Sequence, residues 1–338
     1  MKTLLRLLLK THHQRNRSGS AQTEKGMTLV ELLVGSIMAF LIITPMLGFV
    51  VDMLNTDRRE QVKSNTEQDL QAAVDFISQD LSQAIHIYDG KAINEIRSKL
   101  PEPTNVERIP ILVFWKRQLM RKSIPVDPST VKPKDCDKNE CNDTYLLSLV
   151  AYYQFKDTDN TWCQPSGGNC PTRIARYEIR DGIKNPLTQE YYKSDDSETT
   201  KGQRKDTAFN EKFQLNKPTV DVTAAADFPN PEVLVNYIDY SSTNVPLPPD
   251  CKIALGVVDP TEAGSTPINA ADLLITDRSS KPTHSFYACV DTSKNIARVT
   301  IRGNSLRRLQ ADAPYNKDNP AFFPTASVQV KGLSGLGK

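Results

Sequence analysis

A single carboxylate, Glu31, stands near the head of an apolar stretch in which the twenty residues Leu32–Val51 carry no formal charge. An acid in a membrane helix costs roughly 3 kcal/mol at the helix centre and less near its end. It therefore calls for a cationic partner, or for a place at headgroup level, where it would be a detail of a plain single-pass anchor. An ion pair in hydrocarbon would fix axial register between chains, as buried polar residues do in coiled coils. The second chemistry belongs to cysteine. Cys136, Cys141, Cys163, Cys170, Cys251 and Cys289 all lie beyond the apolar stretch. An even number on an external side favours disulfides over free buried thiols, with 15 possible connectivities. Short spacing makes Cys136–Cys141 and Cys163–Cys170 the economical pairs, which leaves Cys251 for Cys289.

Other polar clusters promise less. Asp135-Cys-Asp-Lys-Asn-Glu-Cys-Asn-Asp143 alternates oxygen ligands in the manner of a calcium loop. Its sixth position is Glu140, where the tight turn wants glycine, and its twelfth is Leu146, where an acid should close the shell. A solvated, disulfide-closed turn is the expectation, with no metal. The spacings of Cys136/Cys141 and Cys163/Cys170 are too wide for a Cys-x-x-Cys zinc knuckle. Arg302, Arg307 and Arg308 form a basic cluster, expected on a solvated face or against an acidic polysaccharide or partner subunit. Beyond residue 26 only His86 and His284 occur, neither beside a nucleophile-elbow pattern. With no glycine-rich phosphate loop, His-Glu-x-x-His helix or Walker motif, no cofactor and no enzymatic activity are expected.

The elements that would hold these residues follow from periodicity and charge. At ~1.5 Å per residue, Leu32–Val51 makes a helix of about 30 Å, enough to cross a bilayer core. Residues 1–26 carry Lys2, Arg6, Lys10, Arg15, Arg17 and Lys25 against Glu24 alone, a net +5 that keeps this end cytoplasmic. The run Leu4–Leu9 is too short to span and reads as a membrane-surface contact. No A-x-A-like cleavage pattern follows Val51, so an ordinary secretory signal does not fit. Past the apolar stretch, Val62, Leu70, Ala73, Val74, Ile77, Leu81, Ile85 and Tyr88 recur at helical steps, with Asp69, Gln71, Asp75, Ser78, Asp80 and Ser82 between them. The helix is thus expected to run from Met27 to Tyr88, about 90 Å, bent at Pro45 and ended by Asp89-Gly90.

Beyond residue 90 the pattern turns strand-like. Pro110–Trp115, Tyr145–Phe155, Arg173–Arg180 and Val233–Ile238 are β-branched and aromatic, and Ser285–Val290 with Ile296–Arg302 forms a hairpin. Arg173–Arg180 reads as one buried and one wet face. Lys193–Lys212 and Asn244–Asp250 read as surface loops and Lys331–Lys338 as a flexible tail. The fold class is α+β: a long N-terminal helix, membrane half plus amphipathic half, packed on one antiparallel sheet. The chain is +2 overall and about −3 without residues 1–26, which is no nucleic-acid footprint.

The block Lys25-Gly26-Met27-Thr28-Leu29-Val30-Glu31 before a hydrophobic helix resembles the type IV prepilin family. That resemblance implies peptidase cleavage between Gly26 and Met27, so that the helix stays in the mature protein. It also implies that Glu31 pairs with the terminal amine of a neighbouring subunit during assembly. Met27 stands where phenylalanine is usual, which bears on N-methylation, and Pro45 falls a few residues early. The implied organisation is a leader over 1–26, a transmembrane or fibre-core helix over 27–51, its amphipathic continuation over 52–90, and a disulfide-containing β-rich head over 91–338. The layout resembles minor pilins and pseudopilins of the J and W type. The large head, with Val113–Arg117 and Tyr145–Phe155, resembles cyanobacterial pseudopilins of hormogonium polysaccharide secretion and gliding. Partners implied are other pilin subunits, the prepilin peptidase, an inner-membrane assembly platform with its ATPase, the lipid bilayer and an exported polysaccharide. The implied location is a single-pass inner-membrane protein with a cytoplasmic N-terminus and periplasmic head, later in a fibre or at the cell surface.

Overall fold

The structure, a computed structural model, describes residues 28–138, 140–192, 197–210, 228–259, 267–277 and 281–333. The sequence expectations for residues 1–26, for Gly26 and Met27, and for the last five residues of the tail lie outside them. One helix, α1 (Leu29–Ser82), opens the described chain and runs through Pro45. Proline has no N–H to offer the carbonyl of Leu41 one turn back. The chain divides into two compact units at Thr56/Asp57.

In the first unit α1 is long and apolar enough to cross a membrane, with every large apolar side chain from Leu29 to Leu54 exposed. In the second, the face carrying Thr66, Leu70, Ala73, Val74, Ile77, Asp80 and Leu81 is buried. The stripe is therefore where periodicity puts it, with one acid and one hydroxyl set into it.

The helix stops at Ser82 rather than Tyr88. Ala84–Ile87 is strand β1, antiparallel to β2 (Arg108–Pro125), and the Tyr88 N–H continues that edge to the Val113 carbonyl. Ile85 and Ile87 are β-branched and fit a pleat, while Ala84, Ile87 and Tyr88 are buried under either geometry. The apolar spacing alone could not separate the two. Asp89 ends nothing: its carboxylate accepts from the Ala92 N–H and starts helix α2 (Gly90–Ile96).

Among the described residues two sheets are present where one was expected. β1, β2, β3 (Cys141–Phe155), β4 (Thr172–Arg180) and β5 (Glu232–Ile238) form a five-stranded antiparallel meander. After the short helices α3 (Cys251–Leu255) and α4 (Ala270–Leu273), β6 (Leu274–Ile275), β7 (Phe286–Asp291), β8 (Ile296–Arg302) and β9 (Thr325–Lys331) form a four-stranded one. Both share one core: Leu70, Val74, Ile77 and Leu81 of α1 pack with Phe114, Val150 and Ile174 of the first sheet and Val290, Val299 and Ile301 of the second. At Gly303, just after β8, an added Cβ would lie 2.8 Å from Thr66 Cγ2 and 3.1 Å from Leu70 Cδ1, so only glycine admits the helix this closely.

Strand β4 is not wet on either face. Arg173 pairs with Asp157 and lies between the rings of Phe155 and Trp162, and only Arg180 at its end is partly exposed. Helix α1 covers one side and the segment around Arg97, stacked over Tyr153, covers the other. In the stretch expected as a surface loop, Gln203, Ala208 and Phe209 are buried, Phe209 edge-on to Trp115.

Candidate functional site

At the head of α1, Glu31 is held by its own turn. The Thr28 N–H and hydroxyl donate to Glu31 Oε2 at 3.2 and 3.1 Å, and the Glu31 N–H donates to Thr28 Oγ1 at 3.3 Å. This reciprocal pair is a capping box, which satisfies two of the helix's orphan donors. The Thr-x-x-Glu spacing was the signal for it, and reading Glu31 only as a membrane acid missed it. The carboxylate is exposed, as is every side chain around it through Leu54. An apolar cylinder of that size is not stable in water and must be covered by lipid or by other helices.

The second acid of α1 to be singled out, Asp80, is its opposite. Its carboxylate accepts from Tyr152 Oη at 2.7 Å, Arg176 Nε at 2.7 Å and Lys116 Nζ at 3.1 Å. Glu178 lies in the same cluster: Arg176 reaches its Oε2 at 2.9 Å, Arg180 at 2.8 Å, and Lys116 Nζ sits 3.0 Å from Oε1 as an ion-pair contact without hydrogen-bond geometry. Asp80, Lys116, Arg176 and Glu178 are all buried and their formal charges cancel. The pleat explains the meeting: Lys116, Tyr152, Arg176 and Glu178 alternate onto the sheet face that α1 covers.

Protonation follows that geometry. Burial alone would raise the Glu178 pKa; the Arg180 hydrogen bond and the charges of Arg176 and Lys116 outweigh it and bring it down to about 2. Burial and the Asp80 charge push the Tyr152 phenol well up, so it stays a donor. Burial would lower the Arg176 pKa, but Asp80 and Glu178 raise it. The cluster is a neutral lock between helix and sheet, with no local sequence signal beyond an acid inside an apolar stripe.

The remaining candidates are structural in their surroundings. Cys136 is bonded to Cys141, Cys163 to Cys170 and Cys251 to Cys289, the last joining α3 to β7. Among the described residues no group of three or more His, Cys, Asp or Glu side chains is arranged to hold a metal. In the Asp135–Asp143 loop, Asp143 instead accepts from the Lys122 N–H at 2.8 Å. The basic cluster after β8 is not a solvated face. Arg302 is buried against Asp239 at 3.0 Å, and Arg308 pairs with Asp69 of α1. Arg307 is fully buried, donating to the carbonyls of Asn169, Pro165 and Gln310 beside the Cys163–Cys170 bridge. Burial lowers the pKa of His86, against the opposing pull of Asp89, and also that of His284, where Arg302 adds to the effect and Asp277 opposes it.

The architecture is that of pilin-like proteins in general: one long N-terminal helix, apolar in its first part, packed on antiparallel sheet. Comparison with protein-family models, with curated proteins and with solved structures finds no match to this chain.

Proposed function

We propose that this chain is a minor pilin or pseudopilin subunit that assembles into, or primes, a type IV pilus-like fibre. One observation carries the reading: a single helix whose first part is apolar on every side and headed by Glu31, and whose second part is keyed into a folded head. Such a helix needs lipid before assembly and sister helices after it. Cleavage after Gly26 would free the Met27 amine, a group largely protonated at neutral pH, with a reference pKa of about 7.7–8.0. Glu31 would offer it a carboxylate already oriented by Thr28. A cytoplasmic ATPase and a membrane platform would lift the subunit, and the head would supply contacts rather than turnover. Asp80, Glu178 and Asp239 support that last point, since each is engaged by buried cations in holding the fold. The head's resemblance to pseudopilins of polysaccharide secretion makes export of a polysaccharide, with surface gliding, the role we favour.

The test is mass spectrometry of the N-terminus in cells with and without the prepilin peptidase. The expected result is a chain beginning at Met27 in the first and the uncut leader in the second. An intact leader in both overturns the proposal.

A further inference from the structure

Among the described residues four strands form the sheet edges, and three of them are blunted. Strand β1 has four residues, and its Ala84 carbonyl is taken by Asn295 Nδ2 at 2.8 Å and the Leu333 N–H at 2.7 Å. Strand β5 pairs with β4 through two register shifts, and β6 has only two residues. These are the usual protections against edge-to-edge pairing. Strand β9 has none of them. Its seven residues pair with β8 without a break, contain no proline, and carry one charge, Lys331, at the very end.

The register tells which main-chain groups are free. The Gly303 N–H donates to the Pro324 carbonyl and the Gly332 N–H to the Asn295 carbonyl, so both ends of the ladder are hydrogen-bonded pairs. Antiparallel pairs alternate between bonded and non-bonded. Ala326, Val328 and Val330 therefore bond to β8, and the N–H and C=O groups of Thr325, Ser327, Gln329 and Lys331 point to the open edge. The side chains agree with one buried and one wet face: Ala326, Val328 and Val330 pack on the core, and the four alternate residues are exposed. Among the described residues β8 is the only strand paired with β9.

We infer that β9 is a strand-addition edge whose occupant is β9 of a second copy, paired antiparallel about Val328. That register places Thr325 opposite Lys331 and Ser327 opposite Gln329 of the other copy. All four outward residues of each strand then face one another, with two main-chain hydrogen bonds per facing pair. Sliding by one repeat in either direction loses a facing pair. The two lysines end at opposite extremes of the ladder, so no like charges meet. A two-fold axis through Val328 makes the contact isologous and joins the two four-stranded sheets into one. This contact lies wholly in the head and does not rest on the fibre reading or on Glu31.

The full chain in detergent, followed by sedimentation equilibrium, tests it. The unaltered protein is expected to dimerise at micromolar concentration. Ser327→Pro removes one outward N–H and leaves the β8 ladder intact, a placement an edge strand tolerates. It should raise the dimer dissociation constant at least tenfold with an unchanged circular-dichroism spectrum. The double variant Ser327→Lys/Gln329→Lys sets lysine against lysine and should do the same, and it supplies the answer if the proline variant misfolds. A monomeric unaltered chain overturns the inference, as does a dimer indifferent to the lysine pair, which would then be held by the apolar helix.

Discussion

Glu31 and Asp80 are acids on the same helix with opposite fates. Asp80 is buried and has three partners from three strands, all supplied by its own chain. Glu31 is exposed in an apolar setting, and among the described residues it is hydrogen-bonded to Thr28. A finished site holds a fold together. The other is set by its own turn alone, which under the proposed function leaves its carboxylate available to a neighbouring subunit. The difference lies in what surrounds each acid, since both begin as a carboxylate on a helix.

Breaking each acid should separate the two roles. The largest effect is expected from Glu31→Leu, which should leave membrane insertion and the melting of the head unchanged yet remove the subunit from fibres. Sheared-fibre immunoblots check this, and normal incorporation would refute a role in assembly. Next, Asp80→Ala leaves Lys116 and Arg176 buried with half their counter-charge. Removing one partner of a buried ion pair costs about 3–5 kcal/mol. Chemical denaturation of the full chain should show that loss while cleavage at the leader stays normal.

The smallest of these effects is in pH. The folded pKa of Glu178 lies at about 2, below its ordinary 4.5. A depressed carboxylate stabilises the fold above its unfolded pKa, and the contribution fades as pH falls through 4.5 toward 2. A shift of that size corresponds to about 3 kcal/mol. Stability curves should fall over that window, and Glu178→Gln should flatten the fall. An identical acid slope in the variant would remove Glu178 from the lock.

Much of the frame was legible. The apolar stretch, the stripe from Leu70 to Leu81 and the strands around Leu112, Val150, Ile174, Val235 and Val299 follow from periods of 3.6 and 2, which local geometry sets. Strand β9 was missed although Thr-Ala-Ser-Val-Gln-Val-Lys alternates polar and apolar residues along its whole length, the period-2 signal of a half-buried strand. The end of α1 was misplaced because Ala84, Ile87 and Tyr88 suit a helix face and a buried edge equally well. The arginines misled most: Arg173, Arg176, Arg302 and Arg307 look like surface residues until their partners are seen.

Those partners are far away along the chain. Asp80 finds Arg176, Arg302 finds Asp239, and Arg307 reaches back to Asn169. Sequence by itself settled a membrane-length helix, the lone acid at its head and a β-rich remainder, since each depends on residue type and near-neighbour spacing. Only the tertiary structure decided which charges are buried, that the strands divide into two sheets and which edge stays open. These depend on contacts between distant segments, which no local pattern encodes.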